Sequence, residues 1–439
     1  MANVLFGSPV WSDVGTTAGH QQTPTLSGGS WLAALPLTNV QSRKLHRPAR
    51  STTDAVADSQ FTIDLGTDRA VRCLAALTNI STVGTIRGRG FTTVPILDAL
   101  DFSTGWTAAG TVTRTAAAYD GSGADGVPLD LVIDNDGAVA EAYFRAVTFT
   151  GDGTKYVSIR LKADTATATA IGIWDSTASA WRHRINVAWS GGVPTATSGA
   201  GSGTITTTSL GDGVYRFGFT VPSVVAANVN NLYCYATAFS AAATGNTYIG
   251  DALAWNAATD QLVYDTGCEL AIPSGLDAEE SEGLNVWWSH IPSAAQTARY
   301  WRVNINDTTN ADTFIDVYRL MITGGYQPSV NMVMGAGIAF DTRGSSEETV
   351  GGAEVYDARR VRRIAMGSLE QMPEDEAFDE WFRLKMRHGK TRQLFFVWDP
   401  DDTTYLHRRA FPGTLQELSA IEAPYHGRMA SAFKIKEDL

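Results

Sequence analysis

In the stretch Arg299-Tyr300-Trp301-Arg302-Val303-Asn304-Ile305, the apolar residues Trp301, Val303 and Ile305 occupy every second position. A period of two belongs to a β-strand with one apolar face, because side chains along a strand point alternately to opposite sides. A second run, residues 313–322, is rich in aromatic and β-branched side chains and reads as another strand. The turn-prone Asn306-Asp307-Thr308-Thr309-Asn310 separates the two, so a hairpin is expected. Similar strand patterns recur along the chain. Residues 59–66 alternate and end at Gly66, and residues 71–77 form an apolar run.

A length of 439 residues sets a soft expectation of two to four domains. The net charge is −12, and Lys and Arg form no stripe, which argues against nucleic acid as a partner. No apolar run is long enough to predict a membrane span. The first residues carry neither a basic flank nor an apolar segment, so no secretory signal is expected there. Cys73, Cys234 and Cys268 fall in no metal-ligand spacing and read as three buried thiols of a protein folded in the cytosol.

Charge density divides the chain. Residues 100–260 hold 8 basic and 13 acidic side chains in 161 positions, whereas residues 350–439 hold 14 and 15 in 90. A shift of that size predicts separate domains under different surface constraints. The middle part is rich in Thr, Ala and Gly. Its strands are expected near residues 142–149, 156–162, 184–189, 214–221 and 232–237, punctuated by Gly151-Asp152-Gly153 and Gly211-Asp212-Gly213. Many short strands with such punctuation predict a sandwich or jelly roll.

In the last part, Pro373 followed by Glu374, Asp375 and Glu376 opens a helix. Lys385, Arg387 and His388 close it before Gly389, so acid and base both complement the helix dipole. Phe378, Trp381 and Phe382 are expected as its buried stripe, with Leu384 and Met386 at the margins. Strands are expected near residues 355–365, 393–398, 405–411 and 428–435. The predicted fold class is therefore mostly β, with β-sandwich or jelly-roll domains plus a C-terminal α+β domain with one main helix; that there are two sandwiches, one inserted in the other, is what the resemblance described next implies.

The string Phe61-Thr62-Ile63-Asp64-Leu65-Gly66 is similar to the signature that opens a discoidin-type, galactose-binding-like sandwich. Residues 299–322, preceded by Val263-Tyr264-Asp265-Thr266-Gly267 and the pair Trp287-Trp288, are similar to its closing half. Asp212-Gly213-Val214-Tyr215-Arg216-Phe217 and Tyr248-Ile249-Gly250-Asp251-Ala252 resemble late strands of carbohydrate-binding jelly rolls. The helix, then Leu394-Phe395-Phe396-Val397-Trp398-Asp399-Pro400, His407-Arg408-Arg409 and the closing strand resemble ring-forming domains of siphophage distal-tail and tail-tip proteins. These likenesses imply an arm at 1–37, a sandwich split between 38–95 and 260–328, a jelly roll inserted at 96–259, and an assembly domain at 329–439. The arm pattern fits an irregular lead-in nearly as well.

The combination resembles a tailed-bacteriophage tail-tip or distal-tail structural protein. It implies a virion component assembled in the host cytoplasm, part of the baseplate and host-attachment apparatus. The implied partners are itself, as a ring-forming hexamer or trimer, other phage tail proteins, and bacterial surface glycans. The alternatives are a polysaccharide depolymerase and a lectin-like adhesin.

No catalytic set is read, and no Gly-x-Ser-x-Gly or His-Glu-x-x-His motif occurs. Asp134-Asn135-Asp136-Gly137 and Asp399-Pro400-Asp401-Asp402 read as polar turns. Either could coordinate calcium through oxygen ligands, but neither completes a calcium loop, so no cofactor or metal is expected. For glycan contact the candidates are Trp174, Trp181, Arg182 and His183, near strand ends, although core or rim packing fits the two rings as well. For assembly they are Arg359, Arg360, Arg362, Arg363, Glu374 and Asp375. Like charges so crowded along one strand call for carboxylates, from a neighbouring subunit or from the same one.

Overall fold

The computed structural model describes residues 3–13, 24–136, 141–239, 243–273, 276, 285–342, 344–357, 360–402 and 404–438. The protein is mostly β, in antiparallel sheets, with one main helix near the C-terminus. It divides into two compact units, one made of Met1–Gly90 with Leu270–Leu439 and the other of Phe91–Glu269.

In the first unit one sheet runs in the order Thr25–Ser27, Phe61–Val71, Gln296–Asn306, Thr85–Phe91. Trp301, Val303 and Ile305 are fully buried, as are Phe61, Ile63 and Leu65, so the alternation marks a core face. Asp64 accepts a hydrogen bond from the Gly66 N–H at 2.7 Å and pairs with Arg299 at 2.8 Å. At that point the strand bulges. Asp64 and Arg69 lie opposite Tyr300 and Ala298, so it resumes after Gly66 rather than ending there.

The expected hairpin does not form. Asp316–Thr323 belongs to a second sheet, in the order Trp288–His290, Cys73–Thr78, Asp316–Thr323, Ala49–Arg50. Residues 307–315 therefore carry the chain from one sheet to the other. Turn residues between two apolar runs signal a reversal, but they do not distinguish a hairpin from an arch between layers.

A third sheet runs Leu5–Gly7, Gln393–Val397, Ala410–Leu415, Arg428–Glu437, Arg362–Pro373, Gly337–Asp341. Its first strand comes from the N-terminus, with Phe6 opposite Phe396. Leu5, Phe395, Val397 and Ala410 on one face pack with Cys73, Ala75, Leu77 and Met321 of the second sheet. Leu74, Ala76, Leu320 and Ile322, of the opposite parity, are buried as well, so both faces of that sheet are covered, which explains why residues 73–77 read as continuously apolar rather than alternating. The other face of the third sheet holds Val4, Phe6, Leu369, Phe396, Phe433 and the helix residues Ala377, Trp381 and Leu384.

The helix spans 374–388, with a π turn at Ala377–Trp381. The buried stripe keeps ordinary helical spacing, through Ala377, Trp381, Leu384, Lys385 and His388, one position away from Phe378 and Phe382. Phe378 and Phe382 are 49% and 46% exposed and Met386 is 71% exposed, whereas Trp381, Leu384, Lys385 and His388 are buried. The expected stripe was thus right for Trp381 and wrong for both phenylalanines. The strand expected at 405–411 begins as a helical turn, Leu406–Arg409, before Ala410–Leu415.

The second unit is a two-sheet antiparallel sandwich. One sheet, of seven strands, runs Ile205–Gly211, Val214–Val224, Gly153–Ala163, Gly245–Trp255, Leu129–Asp134, Thr113–Tyr119, with Leu97–Ala99 also paired to Gly245–Trp255. The other runs Val193–Gly201, Ala180–Ser190, Ala168–Asp175, Asn230–Tyr235, Ala142–Ala146, Thr107–Ala109. Between them lies a core that includes Val157, Ile159, Ile171, Ile173, Ile185, Val187, Trp189, Phe217, Phe219, Leu232 and Cys234. Gly211 pairs with Val214 across the two-residue loop Asp212-Gly213, with φ of +45° and +70°. Both values are positive, which is why Asp-Gly suits this turn. Arg160, 2% exposed, is held by Asp251 at 2.8 Å, Asp125 at 2.6 Å and Asp265 at 2.7 Å.

Candidate functional site

The core-facing residues of Asn230–Tyr235 and Ala180–Ser190 leave the opposite parity on the outer face of the six-stranded sheet. Tyr233 and Tyr235 alternate with the buried Leu232 and Cys234, and Arg184 and Asn186 alternate with Ile185 and Val187. Strand pairing then brings the rings together. Trp181 lies opposite Trp174, and Phe144 lies opposite Tyr233. Around Trp181 stand Trp174 at 5.2 Å, Phe239 at 5.5 Å, Tyr233 at 5.7 Å and Tyr235 at 6.3 Å between centroids. Phe144 stacks on Tyr233 at 4.9 Å and 17°. Of these rings Tyr235 is buried, and the others are half-open to solvent.

Polar groups lie among the rings. The Arg184 guanidinium sits 3.5 Å above Phe239 and donates through Nη2 to the Gly199 carbonyl at 3.0 Å. Burial pulls its pKa below the ordinary arginine value. Its Nε and the Oδ1 of Asn186 are buried and have no partner among the described residues. An unsatisfied buried polar atom costs about 1–3 kcal/mol, more when charged, and a bound ligand would remove that cost. Beside them is a recess of about 260 Å³, lined in part by Thr169, Asn186, Thr195, Thr197 and Phe239.

Of the four expected glycan-contact residues, the structure brings Trp174 and Trp181 together on this face and sends His183 to the other side. His183 pairs with Ile173 and Trp181 with Trp174, so Arg182 is an extra residue in a bulge. Without the bulge, Trp181 and His183 would share a face. With it, His183 is fully buried, packs edge-on against Phe219 and contacts the Thr220 carbonyl at 2.6 Å. Burial lowers its pKa. Arg182 pairs with the buried Asp175, which also accepts from Asn228 at 2.7 Å. Burial pushes the Asp175 carboxyl up, but these bonds outweigh it and hold the pKa below the ordinary value. Tyr233, Tyr235, Phe239, Arg184 and Asn186 were not singled out from sequence. The shared parity of Tyr233 and Tyr235 was the available signal.

Of the expected assembly residues, Arg359 lies outside the described residues. Arg363 is buried in an ion pair with Glu437 of the same chain and donates to the His407 carbonyl at 2.8 Å, so it cannot meet a neighbour. Arg360 is exposed and donates to Asn285 at 2.7 Å, and Arg362 is half-buried. Glu374 and Asp375 are exposed. Among the described residues no group of three or more His, Cys, Asp or Glu side chains is gathered in a metal-holding arrangement. Asp134 is buried and accepts from Thr237 at 2.7 Å. No described helix is long and apolar enough to cross a membrane.

No family model and no curated protein matches the sequence. Among solved structures the chain is similar to a xylan-binding domain of carbohydrate-binding module family 22, at 16% identity over 39% of this chain and 97% of that one, with a TM-score of 0.24. It is also similar to the CBM22-1 and GH10 modules of Clostridium thermocellum endo-1,4-β-D-xylanase 10B complexed with xylohexaose, at 13% identity, 38% and 28% coverage and a TM-score of 0.22. A third likeness is to the enzymatically active domain of bacteriophage CBA120 tailspike protein 4, at 10% identity, 37% and 21% coverage and a TM-score of 0.24. The chain thus spans under a third of the xylanase and tailspike chains. Likenesses at these scores decide neither fold nor function.

Proposed function

We propose that the unit Phe91–Glu269 holds a glycan chain across the outer face of its six-stranded sheet. In this reading the whole chain is a structural component of a tailed-phage tail tip that presents this face to the bacterial surface. One observation carries the glycan assignment: half-open rings share a sheet face with the unpartnered Arg184 Nε and Asn186 Oδ1, beside a recess. Sugars offer C–H faces that pack on rings and hydroxyls that need fixed donors and acceptors. A site of apolar walls with a few placed polar groups meets both needs. The tail assignment rests on the two half-motifs of the sandwich and the pattern of the C-terminal part. Exposed apolar side chains on the helix and on the hairpin that precedes Arg362–Pro373 support an assembling protein.

The role is binding rather than cleavage. A glycosidase sets two free carboxyl groups across the scissile bond, and Asp175, close to the rings, is committed to Arg182 and Asn228. The test is affinity electrophoresis of the full chain through gels containing soluble polysaccharides, including bacterial surface polysaccharides, with an assay for new reducing ends. The expected result is retardation by at least one polysaccharide, lost in Trp181→Ala, with no reducing ends released. Retardation that survives Trp181→Ala and Arg184→Met would refute the face, and steady release of reducing ends would point to a depolymerase.

A further inference from the structure

The strands Ser345–Glu348 and Glu354–Asp357 form a sheet of two, paired to each other through Glu347 opposite Val355 and Glu348 opposite Glu354. Three features make this hairpin a poor free-standing element. An isolated pair of strands is marginal in water. Residues 346–356 are exposed throughout, among them Val350, Val355 and Tyr356. And the directly opposed Glu348 and Glu354 carry like charges, which destabilises a cross-strand pair. Residues 344–357 hold Glu347, Glu348, Glu354 and Asp357 and no Lys or Arg.

The helix exposes Glu374, Asp375, Asp379 and Glu380 in its first half, and the complementary character belongs to its C-terminal half. Phe378, Phe382 and Met386 lie exposed along one side, with the two phenylalanine rings 6.3 Å apart. Arg383, Arg387 and Lys390 are exposed around Phe382 and Met386. Arg383 makes an exposed ion pair with Asp379 at 3.1 Å, a contact that contributes little by itself.

We infer that the acidic hairpin of one copy of this chain docks on the basic, apolar C-terminal half of the helix of a second copy, Val355 and Tyr356 covering Phe382 and Met386. Docking buries apolar surface on both sides and places guanidinium and ammonium groups against the opposed glutamates. Because hairpin and helix are different surfaces, the contact is head-to-tail and closes into a ring or propagates. It belongs to the assembly role proposed above and does not depend on glycan binding.

The experiment uses the full chain. Val355→Cys and Met386→Cys variants are prepared separately, mixed at low salt and oxidised. Cys73 and Cys234 are buried, and the parent chain is the control for the half-buried Cys268. The expected result is a disulfide-linked pair of chains in the mixture, absent from either variant alone. In the parent chain, native mass spectrometry should show an oligomer that dissociates as salt rises. Met386→Glu should raise the dissociation constant by about tenfold or more with no change in thermal unfolding. An oligomer unaffected by Met386→Glu and without the mixed cross-link would overturn this contact while leaving assembly intact. A monomer at every concentration and salt would overturn both.

Discussion

Two clusters of aromatic rings, one in each unit, have similar makeup and different edges. Around Trp381 stand Phe6 at 5.0 Å, Tyr326 at 6.1 Å and Phe433 at 6.2 Å, and Trp381 itself is fully buried. Around Trp181 stand Trp174, Phe239, Tyr233 and Tyr235 at comparable distances, yet that ring stays half-open. The first cluster is closed by the N-terminal strand below and the helix above. The second has a sheet beneath it and polar atoms without partners beside it. Ring content therefore does not tell core from site; what covers the rings does.

The comparison breaks most visibly at Trp381. Trp381→Ala should cost about 3–5 kcal/mol in urea unfolding, the usual cost of emptying a buried aromatic site. Trp181→Ala should cost less than about 2 kcal/mol, since that ring is only partly buried. Equal losses would make both clusters core and remove the basis of the site.

Acid should act on the closed cluster's unit. His388 is buried at the helix end, with Nε2 2.8 Å from the Ser8 hydroxyl, and burial lowers its pKa from 6.5 to about 4. The unfolded chain therefore binds a proton there more readily than the folded one. The stability tied to neutral His388 is complete above about pH 6.5 and drains away as pH falls toward 4, on the order of 3 kcal/mol in all. His388→Gln should flatten that part of the stability–pH curve. An unchanged slope between pH 6.5 and 4 in the variant would show that other groups set it.

The smallest stability effect is expected at Arg184. Its Nε is buried without a partner, so Arg184→Met should change stability by no more than about 1 kcal/mol, in either direction, while glycan affinity falls. A large stability loss would identify Arg184 as a structural brace held by its contact with Phe239.

How legible these regions were in the sequence follows from the same physics. Period-two alternation gave the buried faces of Phe61–Val71 and Gln296–Asn306, because parity is a local property. Trp189 shares parity with Ile185 and Val187, which reads as core, and it packs there with its Nε1 donating to Thr169 at 2.9 Å. Where one residue is inserted into a strand, parity fails downstream. The bulge at Arg182 separated Trp181 from His183. On the helix the buried stripe is centred on Ala377, Trp381, Leu384 and His388, so a stripe centred on the three aromatic rings lies one position off. Long-range pairing was also illegible. Nothing near Leu5–Gly7 indicates that it joins Gln393–Val397, and nothing near Arg363 indicates Glu437. The candidate face was half visible, since Trp174 and Trp181 were named but Tyr233, Phe239, Arg184 and Asn186 reach them only through strand order.

The most direct test of the difference between the two clusters pairs one substitution with two readouts. Trp181→Ala is introduced into the full chain, and both its unfolding free energy and its affinity for a polysaccharide that retards the parent are measured. The expected result is a stability loss under about 2 kcal/mol together with a drop in affinity of about tenfold or more. Unchanged affinity, with the stability loss of a fully buried ring, would contradict the assignment of this sheet face as a binding site.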